Sequence, residues 1–276
     1  MVQPEFEEKQ FEDCHKELLK IDDTQRMYPV GQYLEHFLGV DTRAMLTPYH
    51  PLWSIIGTTY GTGTPLNMSN VSRCVNVFLQ YKRATYHPPP RSTYYYHFQN
   101  TPYYSFKVSS PAGQLNTLLH LANEVDDEYS RLAVVRYVAP RFHTEEELWT
   151  SRDEKTLLQR SAYVRPREFR SGTGKHTACF YTADVTTDAL FNPEPEPGSV
   201  ESHEYFMGNV TRMRSYPESF STLSRVVQFI DPKPRRPPLD MPNSSIERDY
   251  PGIVRNVLTI AWFAYRNNLQ WLIYAD

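Results

Sequence analysis

With 22 prolines against 11 glycines, this chain is punctuated by residues that fix φ and remove a backbone donor, which points to many ordered, proline-marked connections between elements. Residues 87–90 (His87, Pro88, Pro89, Pro90) break the chain, residues 192–199 read as a loop, and residues 231–242 read as a proline-rich linker. Between these breaks, 276 residues that are 40% hydrophobic and 14% aromatic can bury a substantial core, which argues against disorder throughout. The longest apolar runs, such as residues 258–264, fall far short of a bilayer span, so no membrane partner is expected. The N-terminus is acidic where a secretory signal would be basic and then apolar, so the expected location is cytoplasmic. Three dispersed cysteines, Cys14, Cys74 and Cys179, suit reduced, buried thiols better than a disulfide framework. A net charge of -3 gives no global attraction to nucleic acid, although a metal site and a local basic groove would supply it.

Periodicity orders the segments. Residues 5–20 read as a mostly charged surface helix. Val30, Tyr33, Leu34, Phe37 and Leu38 form an amphipathic stripe, with Pro29 near its first turn and Gly39 as its stop. Strands are predicted over 51–59, 75–82, 103–108, 131–139, 176–181 and 271–274, and a Gly/Thr/Asn-rich loop over 58–70. Helices are predicted over 114–125, 145–160, 217–229 and 251–266. The expected fold is α/β, a mixed central sheet flanked by helices. Its expected divisions are an N-terminal helical appendage (1–23), a core (24–185) and a C-terminal α/β extension (186–276), with no internal repeat.

Chemistry concentrates between residues 24 and 82. Glu35 lies on the flank of the stripe helix, Asp41 follows its Gly39 stop, and Gln80 and Lys82 share a strand face because the side-chain period is two. A hard cation such as Mg²⁺ or Mn²⁺ takes carboxylate and amide oxygens, which Asp41, Gln80 and Glu35 supply. A nearby lysine orients a nucleophile and offsets developing charge on a phosphate. The plainer reading is also open: Gln80 and Lys82 on an exposed edge strand, Asp41 in a turn and Glu35 a solvated charge.

The segment Glu35-His36-Phe37-Leu38-Gly39-Val40-Asp41 resembles the Glu-x-x-x-Gly-x-Asp of the PD-(D/E)XK, or restriction-endonuclease-like, nuclease superfamily. Phe78-Leu79-Gln80-Tyr81-Lys82-Arg83 resembles its Gln-x-Lys variant, with 39 positions from Asp41 to Gln80 that require an insertion between core strands. The resemblance covers about residues 24–140. It implies a restriction-endonuclease-like core in which Asp41 is the central metal ligand, Gln80 a second ligand, Lys82 the catalytic lysine and Glu35 an accessory acid. The implied activity is Mg²⁺- or Mn²⁺-dependent endonuclease hydrolysis of DNA, as in restriction or antiviral defence. The alternative is a non-catalytic nucleic-acid-binding or adaptor protein on a degenerate nuclease fold, with a protein partner or a second copy of the chain.

Arg83, Arg165, Arg167, Arg170 and Lys175 are the candidate nucleic-acid-binding residues, with a solvated basic face as the other reading. The tyrosines at 94–96, 103 and 104 suit base stacking or, more simply, sheet packing. Residues 171–176 depart from a phosphate loop because Phe169 stands at the first glycine position and His176 at the Ser/Thr position. His120, His143 and His176 lack zinc-ligand spacing, and no serine-hydrolase elbow occurs.

Overall fold

The computed structural model describes residues 1–19, 26–29, 74–89, 94, 96–109, 114–126, 132–169, 175–182, 188–192, 195–211, 218–231 and 251–275. The stripe helix with Glu35, Asp41, the strand predicted over 51–59, the loop over 58–70, Arg170 and most of the proline-rich linker lie outside them. In chain order the elements are α1 (Glu8–Leu19), β1 (Arg26–Pro29), β2 (Cys74–Tyr81), β3 (Thr85–His87), β4 (Tyr103–Ser109), α2 (Gln114–Val125), β5 (Ala133–Pro140), α3 (Glu145–Asp153), β6 (Ser161–Val164), β7 (Lys175–Tyr181), β8 (Asp188–Asn192), β9 (Glu196–Ser199), α4 (His203–Val210), α5 (Glu218–Ile230), α6 (Pro251–Arg266) and β10 (Gln270–Ala275). This is a mixed α/β chain, but its strands fall into two sheets instead of the single central sheet expected.

Two compact units interleave along the chain. Unit 1 comprises Met1–Ile21, Gln80–Ala122 and Val135–Asn209, and unit 2 comprises Asp22–Leu79, Asn123–Val134 and Val210–Asp276.

In unit 1, β3-β4-β7-β8-β9 form an antiparallel sheet in that order. The alternation of β4 sends Phe106 to one face, against Tyr137, Phe169 and Phe180. Tyr103 goes to the other, stacked between His87 and Phe98 with ring centroids 4.4 Å from each. Both faces are thus covered, and each buried aromatic contributes about 1.5–3 kcal/mol of transfer free energy. Tyr103 and Tyr104 pack in this core, which accounts for them as sheet residues. β5 and β6 pair antiparallel from Tyr137↔Val164 to Pro140↔Ser161, and every residue of β5 is buried, as its apolar run predicts.

Three elements of unit 1 differ from expectation. Helix α1 is not a charged surface helix, because Phe11, Cys14, His15, Leu18 and Leu19 are buried along one side. Lys16 is buried with them and donates to Glu12 at 2.7 Å. Helix α3 opens on a capping box of Thr144 and Glu147, yet it stops at Asp153 instead of Arg160. Lys155 adopts φ 60° there, and the chain turns back so that Arg160 reaches Glu147 at 2.8 Å. The loop expected over 192–199 closes a hairpin of β8 with β9. Pro197 is tolerated because β9 is an edge strand, and Gly198 is required because a Cβ there would stand 2.6 Å from both the Glu168 carboxylate and the Phe191 ring.

In unit 2, β10 pairs antiparallel with both β1 and β2. Trp271 donates its indole N–H to Asn76 Oδ1 at 3.0 Å, and Asn76 donates to the Leu132 carbonyl at 3.5 Å. The pairing satisfies a buried polar side chain that sits between the apolar Val75 and Val77. Helices α5 and α6 pack together, and Arg266 pairs with Asp231 at 2.6 Å. Asn268, at φ 53°, ends α6 before β10 begins. No helix among the described residues is long and apolar enough to cross a membrane.

Candidate functional site

The end of β2 carries the described half of the predicted site. β2 spans Cys74–Tyr81, and Lys82 extends its pairing by donating its backbone N–H to the Val138 carbonyl at 2.8 Å. Gln80, Lys82 and β5 from Val135 onward belong to unit 1. Gln80 is not on an exposed strand face: it is 1% exposed, and neither its amide oxygen nor its amide nitrogen has a hydrogen-bond partner among the described residues. Leaving a buried amide unpaired costs about 1–3 kcal/mol per group, so such an arrangement calls for a ligand or a functional reason.

Lys82 holds its ammonium 5.9 Å from the centre of the Tyr137 ring. Burial pushes that ammonium below the ordinary lysine range, and the charge of Glu8 pulls it back. Glu8, in the first turn of α1, is itself raised by burial, opposed by Lys82 and by the backbone N–H of Arg83. The Tyr137 hydroxyl is buried without a hydrogen-bond partner among the described residues, and burial pushes its phenol up. Thus Gln80, Lys82, Tyr137 and Glu8 place an amide, a cation, a phenol and a carboxylate around the end of one strand and the strand it bonds to. Lys82 was anticipated from the sequence; Glu8 and Tyr137 were not.

Tyr81, between Gln80 and Lys82, points to the opposite strand face. Its hydroxyl meets His15 Nδ1 at 3.0 Å, His15 Nε2 meets the Tyr163 hydroxyl at 2.9 Å, and Tyr163 meets His203 Nδ1 at 3.1 Å. Desolvation holds His15 well below the usual histidine range and lowers His203 to about 4.

The basic residues expected to face phosphates mostly have internal partners. Arg83 donates to the Pro4 carbonyl at 2.9 Å and to Glu7 at 3.3 Å. Arg165 donates to Glu201 and lies over the Tyr205 ring at 5.5 Å. Arg167 donates to the Ala122 carbonyl at 2.8 Å. A nearly buried Glu201 and two backbone carbonyls thus engage three of these cations. Arg170 lies outside the described residues. Lys175 opens β7, so a strand, and not the helix that a phosphate loop leads into, spans Lys175–Tyr181.

Glu35 and Asp41 lie outside the described residues, and among those described no three His, Cys, Asp or Glu side chains gather as a metal site. The signal that would have found His15 is its place on the apolar side of α1 with Phe11, Cys14 and Leu18. No local pattern marks Tyr137 or Glu201. Comparison with protein-family models, curated proteins and solved structures finds no match to this chain.

Proposed function

We propose that this chain is a metal-dependent nuclease that hydrolyses phosphodiester bonds of DNA. The observation that carries the reading is Gln80, whose amide is buried with both polar atoms unpaired two residues before a desolvated lysine. An unpaired amide oxygen fits a neutral ligand for a hard cation, and the carboxylates that the sequence resemblance assigns to the same metal are Asp41 and Glu35. A bound Mg²⁺ or Mn²⁺ would supply Lewis acidity at the scissile phosphate and a more acidic water. Lys82 contributes the positive charge that offsets negative charge on the phosphate as the bond breaks. The Tyr137 ring beneath its ammonium and the Glu8 carboxylate hold that side chain in place. A role in restriction or antiviral defence belongs to the same proposal.

The test combines calorimetry with Mn²⁺ and cleavage of DNA. Wild-type protein binds Mn²⁺ and cleaves; Asp41→Ala loses both; Lys82→Ala keeps Mn²⁺ binding and loses cleavage. A wild-type protein that neither binds Mn²⁺ nor cleaves DNA, while still binding it, would favour the non-catalytic adaptor and end the nuclease reading.

A further inference from the structure

Residues 80–82 present two faces. Gln80 and Lys82 project to one side and Tyr81 to the other, where its ring packs edge-on against Phe11 at 5.8 Å and against His15 at 5.3 Å. The Tyr81 hydroxyl has one partner among the described residues, His15 Nδ1. That single contact sets the direction of every hydrogen in the network. Tyr81 must donate, so His15 Nδ1 accepts and its proton sits on Nε2. Nε2 then donates to the Tyr163 oxygen, and the Tyr163 hydrogen goes to His203 Nδ1. The opposite direction would leave the Tyr81 hydrogen buried with no acceptor. His15, on α1, therefore ties the end of β2 to β6 and α4 through one neutral, fully ordered chain of hydrogen bonds.

We propose that His15 is a positioning residue for Gln80 and Lys82: by holding the Tyr81 hydroxyl it fixes the strand end from which both side chains project. This rests on reading Gln80 and Lys82 as site residues. Neither His15 nor Tyr81 touches substrate in this account; they act through the backbone they hold. A displacement of about 1 Å at a reacting group costs about 100-fold in rate, so a strand end is worth pinning from its far side.

Two readouts test the proposal, one of them independent of activity. The first is hydrogen exchange at the Lys82 amide, which is bonded to the Val138 carbonyl, with the amides of β4 and β7 as internal reference. The second is the split of kcat from KM for DNA cleavage in Mn²⁺. Tyr81→Phe keeps the ring and removes the hydroxyl; Tyr163→Phe removes the bonds to His15 Nε2 and His203 Nδ1 and leaves the bond of Tyr81 to His15 Nδ1 in place. Tyr81→Phe speeds Lys82 exchange about tenfold or more while the reference amides keep their rates, as expected of local loosening. It also lowers kcat about tenfold with KM within about twofold. Tyr163→Phe leaves both readouts near wild type.

His15→Asn, which keeps an acceptor near the place of Nδ1, retains Lys82 protection, whereas His15→Leu loses it. This second pair keeps the test open if Tyr81→Phe folds poorly. Unchanged Lys82 exchange in Tyr81→Phe overturns the proposal, and so does faster exchange spread equally over β4 and β7. If wild-type protein cleaves nothing but Lys82 exchange responds as stated, the positioning role stands and the nuclease reading falls.

Discussion

Arg136 and Glu201, 65 positions apart, form an ion pair in which the side chains are only 1% and 6% exposed. Glu201 also accepts from Arg165, whose side chain is 39% exposed, and from Asn209 at 3.5 Å. The same Glu201 joins β6 through reciprocal backbone hydrogen bonds with Tyr163. One acidic residue therefore secures β5, the segment after β6 and the entry to α4 in unit 1.

Removing that acid is predicted to be far more damaging than removing its exposed partner. Glu201→Ala leaves the Arg136 charge buried without its carboxylate, at a cost of about 3–5 kcal/mol. Arg165→Ala leaves Glu201 still paired with Arg136, and the loss of a part-exposed ion pair costs at most about 1 kcal/mol. Urea denaturation reads both, and equal midpoints for the two variants would contradict the account.

Acid is predicted to weaken the fold before most carboxylates titrate. His203 takes its proton near pH 4 when folded but near pH 6.5 when unfolded, so the unfolded state binds more protons between those values. Its contribution is complete above pH 6.5 and is lost as pH falls through that window, about 2 kcal/mol by pH 5. His15, held low by the same burial, acts in the same direction. Urea midpoints measured from pH 7.5 to 4.5 should fall below pH 6.5, and His203→Gln should flatten the curve. A wild-type midpoint constant across that range would refute it.

Strong periodicity was legible from residues alone. The helices at 114–125 and 251–266 match α2 and α6, and the apolar run at 131–139 corresponds to a fully buried β5. What periodicity could not show were decisions made by distant partners. Lys16 is hydrophilic by type but buried because Glu12 lies one turn before it. Residues 196–199 look like a loop by proline content, but they become a strand because β8 offers an edge. Within the candidate site, the strand placing Gln80 and Lys82 was legible from alternation. The burial of Gln80, the ring beneath Lys82 and the approach of Glu8 depend on β5 and α1, which no local spacing encodes. The same holds for Arg165, which reads as a solvated or phosphate-facing cation until Glu201 is placed beside it.

The left-handed end of α3 offers a stabilising change. Lys155 is an exposed non-glycine residue at φ 60°, a conformation that costs an L-residue about 1 kcal/mol and glycine almost nothing. Lys155→Gly is therefore expected to raise stability by up to about 1 kcal/mol, less the entropy that glycine adds to the unfolded chain. The melting temperature should rise or hold; a fall of several degrees would mean that the Lys155 side chain makes a contact worth more than the backbone strain.

Gln80 allows stability and function to be read from one substitution. Methionine has nearly the length and volume of glutamine but carries no amide, so Gln80→Met removes two buried polar groups that have no partner among the described residues. Replacing an unpaired buried amide by an apolar group of similar shape is expected to raise stability by about 1–3 kcal/mol. If Gln80 is also a metal ligand, the same variant loses affinity for Mn²⁺ and loses cleavage, which makes it more stable and less active together. That combination is characteristic of a residue retained for function against the interest of the fold. The two measurements separate the possible outcomes. A loss of stability of about 1 kcal/mol or more would mean that the amide has a structural partner and that its burial needs no ligand to explain it. A gain in stability with unchanged Mn²⁺ binding would remove Gln80 from the proposed donor set.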